Sequence, residues 1–491
     1  MLYMNQVHLS YMGIASCTPI RALLRQPSSD HRLCRAKHLL LLILHPHKLK
    51  MPCKHTTLQL DVSPFAELAG YEQVDAARRA AAETTSGRAP KTFTDHSNKT
   101  FPPPLVLPHD ELNYDPDCSP QSTKSWLNEK ARNKVLPNTE RDTLYVARVP
   151  QFSKSMSFMR DWTRPTRDEE DNTVAASPDA ELFRTYLEAF YHNMPVRILP
   201  EPLVWKPWDD RTTVSSGLRV TLPKYVGLAQ NDHCTRIRVR QPPDSAFPAQ
   251  LNLDDILDMA IAILPQDAYA MVLLVDHDIH ESEDDDFCCG RAYGGSRVAV
   301  VQTARYNPIL DPEAAIDGKH MWPLSHCKQF VDGLCAVEDV EARPATKKQR
   351  ELSKDGAMKA AVAAASTFSP ASAAQDVQAL WFSRLARTVS HELGHCFGIA
   401  HCVYYACNMQ GTASMKEDVR QPPYLCPVCE AKVAHAIVAE LGSGGANEKE
   451  EWFRQRSEAL SKFCMMLGEK GMEGAMWRGL DGWLKERMKT L

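Results

Sequence analysis

The sequence predicts an α/β domain with a mixed sheet, one long helix carrying the candidate chemistry, long insertions and a helical C-terminal tail. Three observations lead there. From Thr235 onward a strand pattern (Ile237-Arg238-Val239), an amphipathic helix (Leu253 to Leu264, capped by Asn252 or Asp254) and an apolar strand (Ala268 to Val275) follow one another. Such an order favours a parallel pair. A second helix is predicted to start near Ala374 to Asp376 and to run through Trp381, Leu385 and Val389 into His391. Lastly, Glu448 to Leu491 reads as one or two amphipathic helices, with Trp452, Trp477 and Trp483 placed for helix packing.

Residues 1–50 stand apart. They carry Arg21, Arg25, Arg32, Arg35 and Lys37 against Asp30 alone, and then six apolar residues, Leu39 to Leu44. Six cannot span a bilayer, and a signal peptide needs a longer apolar region nearer the start. The stretch is read as a disordered tail or as an extension upstream of a start at Met51. A mitochondrial transit segment is the alternative if it is expressed.

Residues 51–335 form the N-terminal part of the main domain, with Pro-rich insertions. A helix-like run covers Val74 to Ala82. Phe101-Pro102-Pro103-Pro104 and Pro116 to Pro120 read as linker and extended wrapping. Thr143 to Ala147 is an expected strand, 178–192 an expected helix, and Arg197-Ile198-Leu199 another short strand. The acidic run from Asp276 to Asp286 lacks the oxygen spacing of a calcium loop and is read as a solvated loop. Gly290 to Gly295, whose glycines allow close backbone approach, leads into a strand from Arg297 to Arg305. Residues 336–375 are read as a low-complexity insertion, with the basic run Lys347 to Arg350 at its surface and an Ala/Ser run from Ala360 to Ala374.

The chemistry is concentrated in 376–441, between His391 and Cys429. His391-Glu392-x-x-His395-x-x-Gly398-x-x-His401 comes first. On an α-helix, residues i and i+4 are about 40° apart around the axis, so two imidazoles leave one face a turn apart. That suits one zinc ion, with Glu392 beside the open position as a general base. Gly398 permits the sharp turn that returns His401 as third ligand. Cys402-x4-Cys407 and Cys426-Pro-Val-Cys429 add four thiolates, the composition of a closed structural zinc site. Met409 is a candidate apolar floor beneath the histidines. The text between Tyr404 and Leu425, with Gly411, Pro422 and Pro423, is loop-like, so the second ion would be its main source of order. Ala431 to Leu441 then reads as a short helix, and Gly442 to Gly445 as a hinge before 448–491.

This stretch resembles the archaemetzincin family of metzincin zinc metalloproteases, whose signature joins HExxHxxGxxH to Cx4CxM and a distant CxxC. Every signature position is filled here. The resemblance implies a metzincin-like zincin domain whose activity is peptide-bond hydrolysis by a zinc-activated water. It implies two Zn2+ per chain, one catalytic (His391, His395, His401, with Glu392 as base) and one structural (Cys402, Cys407, Cys426, Cys429). It also implies that the strand from Arg297 to Arg305 is the antiparallel edge strand lining the cleft above the active-site helix and that Met409 lies under the histidines.

Composition narrows the alternatives. Among 491 residues the net charge is −4, and no basic, aromatic-interleaved patch lies near the cysteines, so nucleic acid is not an expected partner. No stretch is expected to enter a membrane. Fifteen cysteines, eleven of them outside the metal pattern and without paired spacing, fit a reducing compartment, so an intracellular, cytoplasmic setting is expected. The expected partner is a peptide or protein substrate. The alternative function is a catalytically silent zinc-binding scaffold or a protein-interaction module of the same fold. Substrate preference and oligomeric state are not legible.

Overall fold

Asn252 caps the expected helix by accepting from Asp255 N, and the strand after it is buried on both faces along its whole length. These features come from a computed structural model, which describes residues 53–491 except 92–95, 111, 113–117, 135–140, 167–176, 210–221, 339, 343, 371 and 443. The expectations for 1–50 and for part of 116–120 lie outside the described residues. Residues 55–115 and 120–491 make one compact unit, which holds the sheets, the helices and both ligand sets; of the other, 1–54 with 116–119, the described residues are 53–54 and 118–119.

Eleven strands are described: β1 (Thr143–Ala147), β2 (Gln151–Phe152), β3 (Val196–Ile198), β4 (Val204–Lys206), β5 (Tyr225–Gln230), β6 (His233–Arg240), β7 (Gln250–Asn252), β8 (Ala268–Val275), β9 (Asp278–His280), β10 (Gly290–Tyr293) and β11 (Val298–Gln302). The helices that position the site are α1 (Ala180–Phe190), α2 (Leu253–Ala262), α3 (Ala357–Ser366), α4 (Ala373–Cys396), α5 (Pro427–Ala434), α6 (Ala446–Glu469) and α7 (Ala475–Arg487). One mixed sheet runs β10-β11-β8-β1-β3, and a second runs β2-β4-β5-β6-β7-β9. The fold is α/β, as expected. Among the described residues no helix is long and apolar enough to cross a membrane.

The strand–helix–strand unit is a correction. β6 and β8 do not pair. β6 is antiparallel to β5 and to β7 in the second sheet, while β8 lies parallel to β1 and β11 in the first. The reason lies in the side chains. β6 (HCTRIRVR) has a polar, exposed face and suits a half-solvated antiparallel sheet, turned from β5 through Asn231 at φ +51°. β8 is apolar at every position and needs a covered partner along each edge.

Alternation along the first sheet builds two cores. Val146, Val272, Leu274, Ala299 and Val301 face α4 with Phe382, Leu385 and Val389. Tyr145, Met271, Leu273, Val298 and Val300 face α2 with Ile256, Leu257 and Met259.

Four further readings change. Asp278 to His280 is a buried strand, with Asp278 ion-paired to Arg305 and accepting from Gln250 Nε2 at 2.8 Å; within the run expected to be a solvated loop, Ser282 to Asp284 and Asp286 are the exposed residues. The strand within Arg297 to Arg305 is interior, flanked by β8 and β10, so the sheet edge belongs to β10. Phe101 to Leu107 is extended but buried, and Phe101 packs on Tyr405, Tyr424 and Trp483. It wraps the core instead of linking domains. The first half of the Ala/Ser run lies in α3, whose Ala361, Val362 and Ala365 are buried, and α3 packs against α7. Gly482 of α7 faces Ala360 O, where an added Cβ would come within 2.8 Å.

The C-terminal helices are likewise part of the core. Trp452, Trp477 and Trp483 are buried, and Glu430 of α5 accepts from Arg456 Nη1 at 2.8 Å and Arg487 Nη1 at 3.1 Å. Two buried cations on one buried carboxylate tie α6 and α7 to the helix that begins next to Cys426.

Candidate functional site

Helix α4 starts at Ser372, whose side chain accepts from Gln375 N, and ends at Cys396, where the chain breaks away through Gly398. Gly398 has φ +76°, and a Cβ there would meet Arg132 Cγ at 2.7 Å, so conformation and space both require glycine. Segments far away in sequence hold this turn. Trp126 Nε1 donates to Phe397 O at 2.8 Å, Gln121 Nε2 donates to Gly398 O at 3.0 Å, and Gln121 Oε1 accepts from Ala400 N at 3.0 Å. Lys432 of α5 in turn donates to Gln121 Oε1 at 2.8 Å.

The turn brings the third histidine home. Ring centroids lie 4.7 Å (His391–His395), 5.4 Å (His391–His401) and 5.0 Å (His395–His401) apart, and one ring nitrogen from each falls within 4.8 Å of the others. His391 Nδ1–H donates to Asn408 O and His395 Nδ1–H to Ile399 O, both at 2.7 Å. These bonds select the tautomer that leaves Nε2 a free lone pair, and the two Nε2 atoms face each other at 3.0 Å. Gly411 lies against the third ring, its would-be Cβ 3.0 Å from His401 Nδ1.

Burial, then His395 and His401, holds the His391 pKa far below its ordinary value. Burial, then His401, brings His395 to about 3, and burial brings His401 to about 4. Three neutral imidazoles converging on one point are a donor set for zinc or a similar borderline cation.

Glu392 sits on the same helix, 8% exposed, and burial pushes its carboxyl up to about 8 against the opposing pull of Arg291. β10 passes directly over it. A Cβ on Gly290 would reach Glu392 Cγ at 3.4 Å, and one on Gly294 would strike His395 O at 2.5 Å. The glycines expected to allow close approach do so against the helix of the histidines.

The second set is closed. Cys402, Cys407, Cys426 and Cys429 are all buried, with their sulfurs within 4.8 Å of one another and Cys402 Sγ 3.4 Å from Cys426 Sγ. Cys407 Sγ accepts from Met409 N at 3.4 Å and from Cys426 N at 3.2 Å, bonds that favour a thiolate. Four such sulfurs suit a tetrahedral zinc with no open position. Met409 is fully buried, and its Sδ lies 2.5 Å from where a Gly394 Cβ would stand, between His391 and His395 on the helix.

One expectation about this segment does not hold. Tyr404, Tyr405, Cys407, Met409, Met415, Tyr424 and Leu425 belong to the main core, and Ala406 N donates to Pro102 O at 2.9 Å. The loop-like text is ordered by the core as well as by its cysteines.

Sequence reasoning missed the residues that orient the ligands. Asn408 Nδ2 donates to Ser390 Oγ at 3.0 Å, and Tyr191 donates to Ser390 O at 2.7 Å, so the carbonyl that accepts from His391 is anchored to α4 itself. The adjacency of Asn408 to Cys407 and Met409 was the available signal.

The comparisons bear on this same segment. Residues 362–435 match the family model for Peptidase family M54. Archaemetzincin-2 of Pongo abelii is 24% identical over 45% of this chain and 50% of its own length, so the chain spans about half the length of that relative. Archaemetzincin of Pyrobaculum aerophilum is 37% identical over 11% of this chain and 35% of its own. The crystal structure of archaemetzincin from Methanopyrus kandleri aligns over 61% of this chain and 98% of that one at 13% identity, with a TM-score of 0.29, too loose to carry an argument about the fold. Through the segment that holds both ligand sets, the chain resembles the archaemetzincins of Peptidase family M54.

Proposed function

We propose that this chain is a zinc-dependent peptidase of the archaemetzincin type, metzincin-like in its architecture, with α4 as the active-site helix. One zinc is held by His391, His395 and His401 and a second, structural one by Cys402, Cys407, Cys426 and Cys429. The observation that carries this reading is the convergence of three imidazoles, two of them locked by backbone carbonyls, next to a buried carboxylate under a sheet edge.

Held by the three histidines, zinc supplies Lewis-acid polarisation of a carbonyl and brings the pKa of water towards neutrality. Glu392 manages the proton. Its carboxylate takes one from the attacking water and passes it to the leaving amine. Burial favours the protonated carboxyl between those two transfers. Asn408 O and Ile399 O hold the imidazole tautomers throughout. β10 is a sheet edge, so its outward N–H and C=O groups suit an extended peptide, and Gly290 keeps side-chain bulk away from Glu392.

The test is Glu392→Gln in the full chain, assayed on a peptide library with zinc content measured in parallel. We expect both zincs retained and hydrolysis reduced by at least roughly 10²–10⁴-fold, the usual worth of general-base catalysis. Unchanged turnover in the variant, or a wild type that cleaves no peptide, would leave the silent scaffold as the better reading.

A further inference from the structure

His55 and His320 meet edge to face outside both ligand sets, with ring centroids 5.4 Å apart. The strap that carries His55 is registered along residues 326–328. Leu58 bridges Cys327, Gln59 N donates to His326 O at 2.7 Å, and Lys328 N donates to Thr57 O at 2.9 Å. His320 is fixed twice over. Its Nδ1–H donates to Asp317 Oδ2 at 2.7 Å, and its ring stacks on Phe330 at 4.2 Å and 7°.

Two facts remain unexplained by packing. The Nε2 atoms of His55 and of His320 are both enclosed, and neither has a hydrogen-bond partner among the described residues. Leaving a buried polar atom unsatisfied costs about 1–3 kcal/mol, and here two stand in one place. His55 also adopts φ +47°, a left-handed backbone that a residue with a Cβ rarely takes unless its surroundings impose it.

We propose that His55 and His320 are two ligands of a further divalent-cation site of the zinc class, binding through Nε2, with Asp317 as the residue that orients His320. The carboxylate–imidazole pair is the arrangement that fixes a metal-binding tautomer and raises ligand basicity. Imidazole nitrogens select zinc and its borderline neighbours over calcium or magnesium. The remaining coordination positions belong to water or to other donors. Such an ion would clamp the N-terminal strap to the 317–330 segment, far from any role in hydrolysis.

The experiment compares full-length wild type with His55→Gln, His320→Gln and Asp317→Asn, all isolated without chelators, by elemental zinc analysis and by competition with a chromogenic chelator. Each glutamine variant should carry one zinc equivalent less than wild type while peptide hydrolysis persists. Asp317→Asn should weaken that one equivalent by roughly 10–100-fold, the usual worth of an orienting partner. Zinc content equal to wild type in both glutamine variants would overturn the site and leave a pair of packed neutral rings. Should His320→Gln fail to fold, His55→Gln and Asp317→Asn decide, since one removes a peripheral ligand and the other none. The readout is a difference in metal content, so it stands apart from whether the three-histidine site hydrolyses anything.

Discussion

The two ligand sets are one peptide bond apart, at His401 and Cys402, yet they are built on opposite principles. The histidines sit on a pre-formed helix and one turn, are oriented by backbone carbonyls, and keep His395 and His401 partly exposed. The cysteines come from two segments, are wholly buried, and lie within the main core among Tyr405, Tyr424 and Leu425. An open set has an orientation that survives without its ion. A closed set is where the ion and the core hold each other. The difference predicts that loss of one site should silence the protein and loss of the other should unfold it.

The largest expected effect therefore belongs to Cys426→Ser. Structural zinc contributes on the order of 10–16 kcal/mol of apparent binding energy in small peptides, comparable with the whole stability of a typical domain. Because the segment lies in the core and Glu430 next to Cys429 anchors α6 and α7, the damage should spread beyond Tyr404 to Leu425. We expect loss of the cooperative thermal transition, or a strongly lowered Tm, together with proteolytic sensitivity across the C-terminal helices. A variant that melts like wild type and is cut only between Gly411 and Pro423 would show the cysteine site to be a local clamp.

Acid should also distinguish the regions. His326 is buried with its pKa lowered by burial to about 4 from 6.5. The unfolded chain takes up its proton first, so this group's contribution is present above pH 6.5 and is lost as pH falls towards 4. The full window is worth on the order of 3 kcal/mol. His326→Gln should flatten that acid limb in a Tm-versus-pH series; an unchanged slope would assign the limb to His391, His395 and His401 instead.

Gly294→Ala is expected to cost about 1–3 kcal/mol, since its Cβ would strike His395 O at 2.5 Å and β10 or α4 must shift. Activity should fall with it, because β10, which Gly294 directly follows, passes Glu392. Full activity with a lowered Tm would separate the strand from the chemistry.

Legibility in the sequence was a matter of range. The ligand residues were legible because HExxH and CxxC geometry is written within one or two turns. So were α2 with its Asn252 cap and the buried strand β8. Strand pairing was misread: the polar face of β6 and the turn at Asn231 are local signals for a hairpin with β5, but the order strand, helix, strand outweighed them. Gln121, Trp126 and Ser390 were not legible, since they act on the site only after long segments fold together. The acidic run misled because Asp278 is neutralised by Arg305, a partner 27 residues away. The Ala/Ser run misled because small side chains, low in complexity as text, are what two closely packed helices require.

His401→Ala is the smallest expected perturbation of the fold and the one that tests the contrast most directly. The ring sits at the end of a turn already held by the left-handed Gly398 and by Trp126 and Gln121, whose bonds go to backbone atoms of Phe397, Gly398 and Ala400. Helix α4 is capped and packed along its length against the sheet, so it forms without the ion. Removing one imidazole from three should abolish hydrolysis and release one zinc, while the four cysteine sulfurs keep theirs. Stability then falls only by the linkage lost with that ion, about 2.7 kcal/mol for a cation present at 100 times its Kd and nothing in metal-free buffer. The measurement is thermal unfolding of wild type and variant with and without a mild chelator. Coincident curves in chelator, with separation only when zinc is present, would establish the histidine set as pre-organised. A variant that melts far below wild type in chelator would mean that His401 supports the fold itself, and the contrast between the two sites would fail.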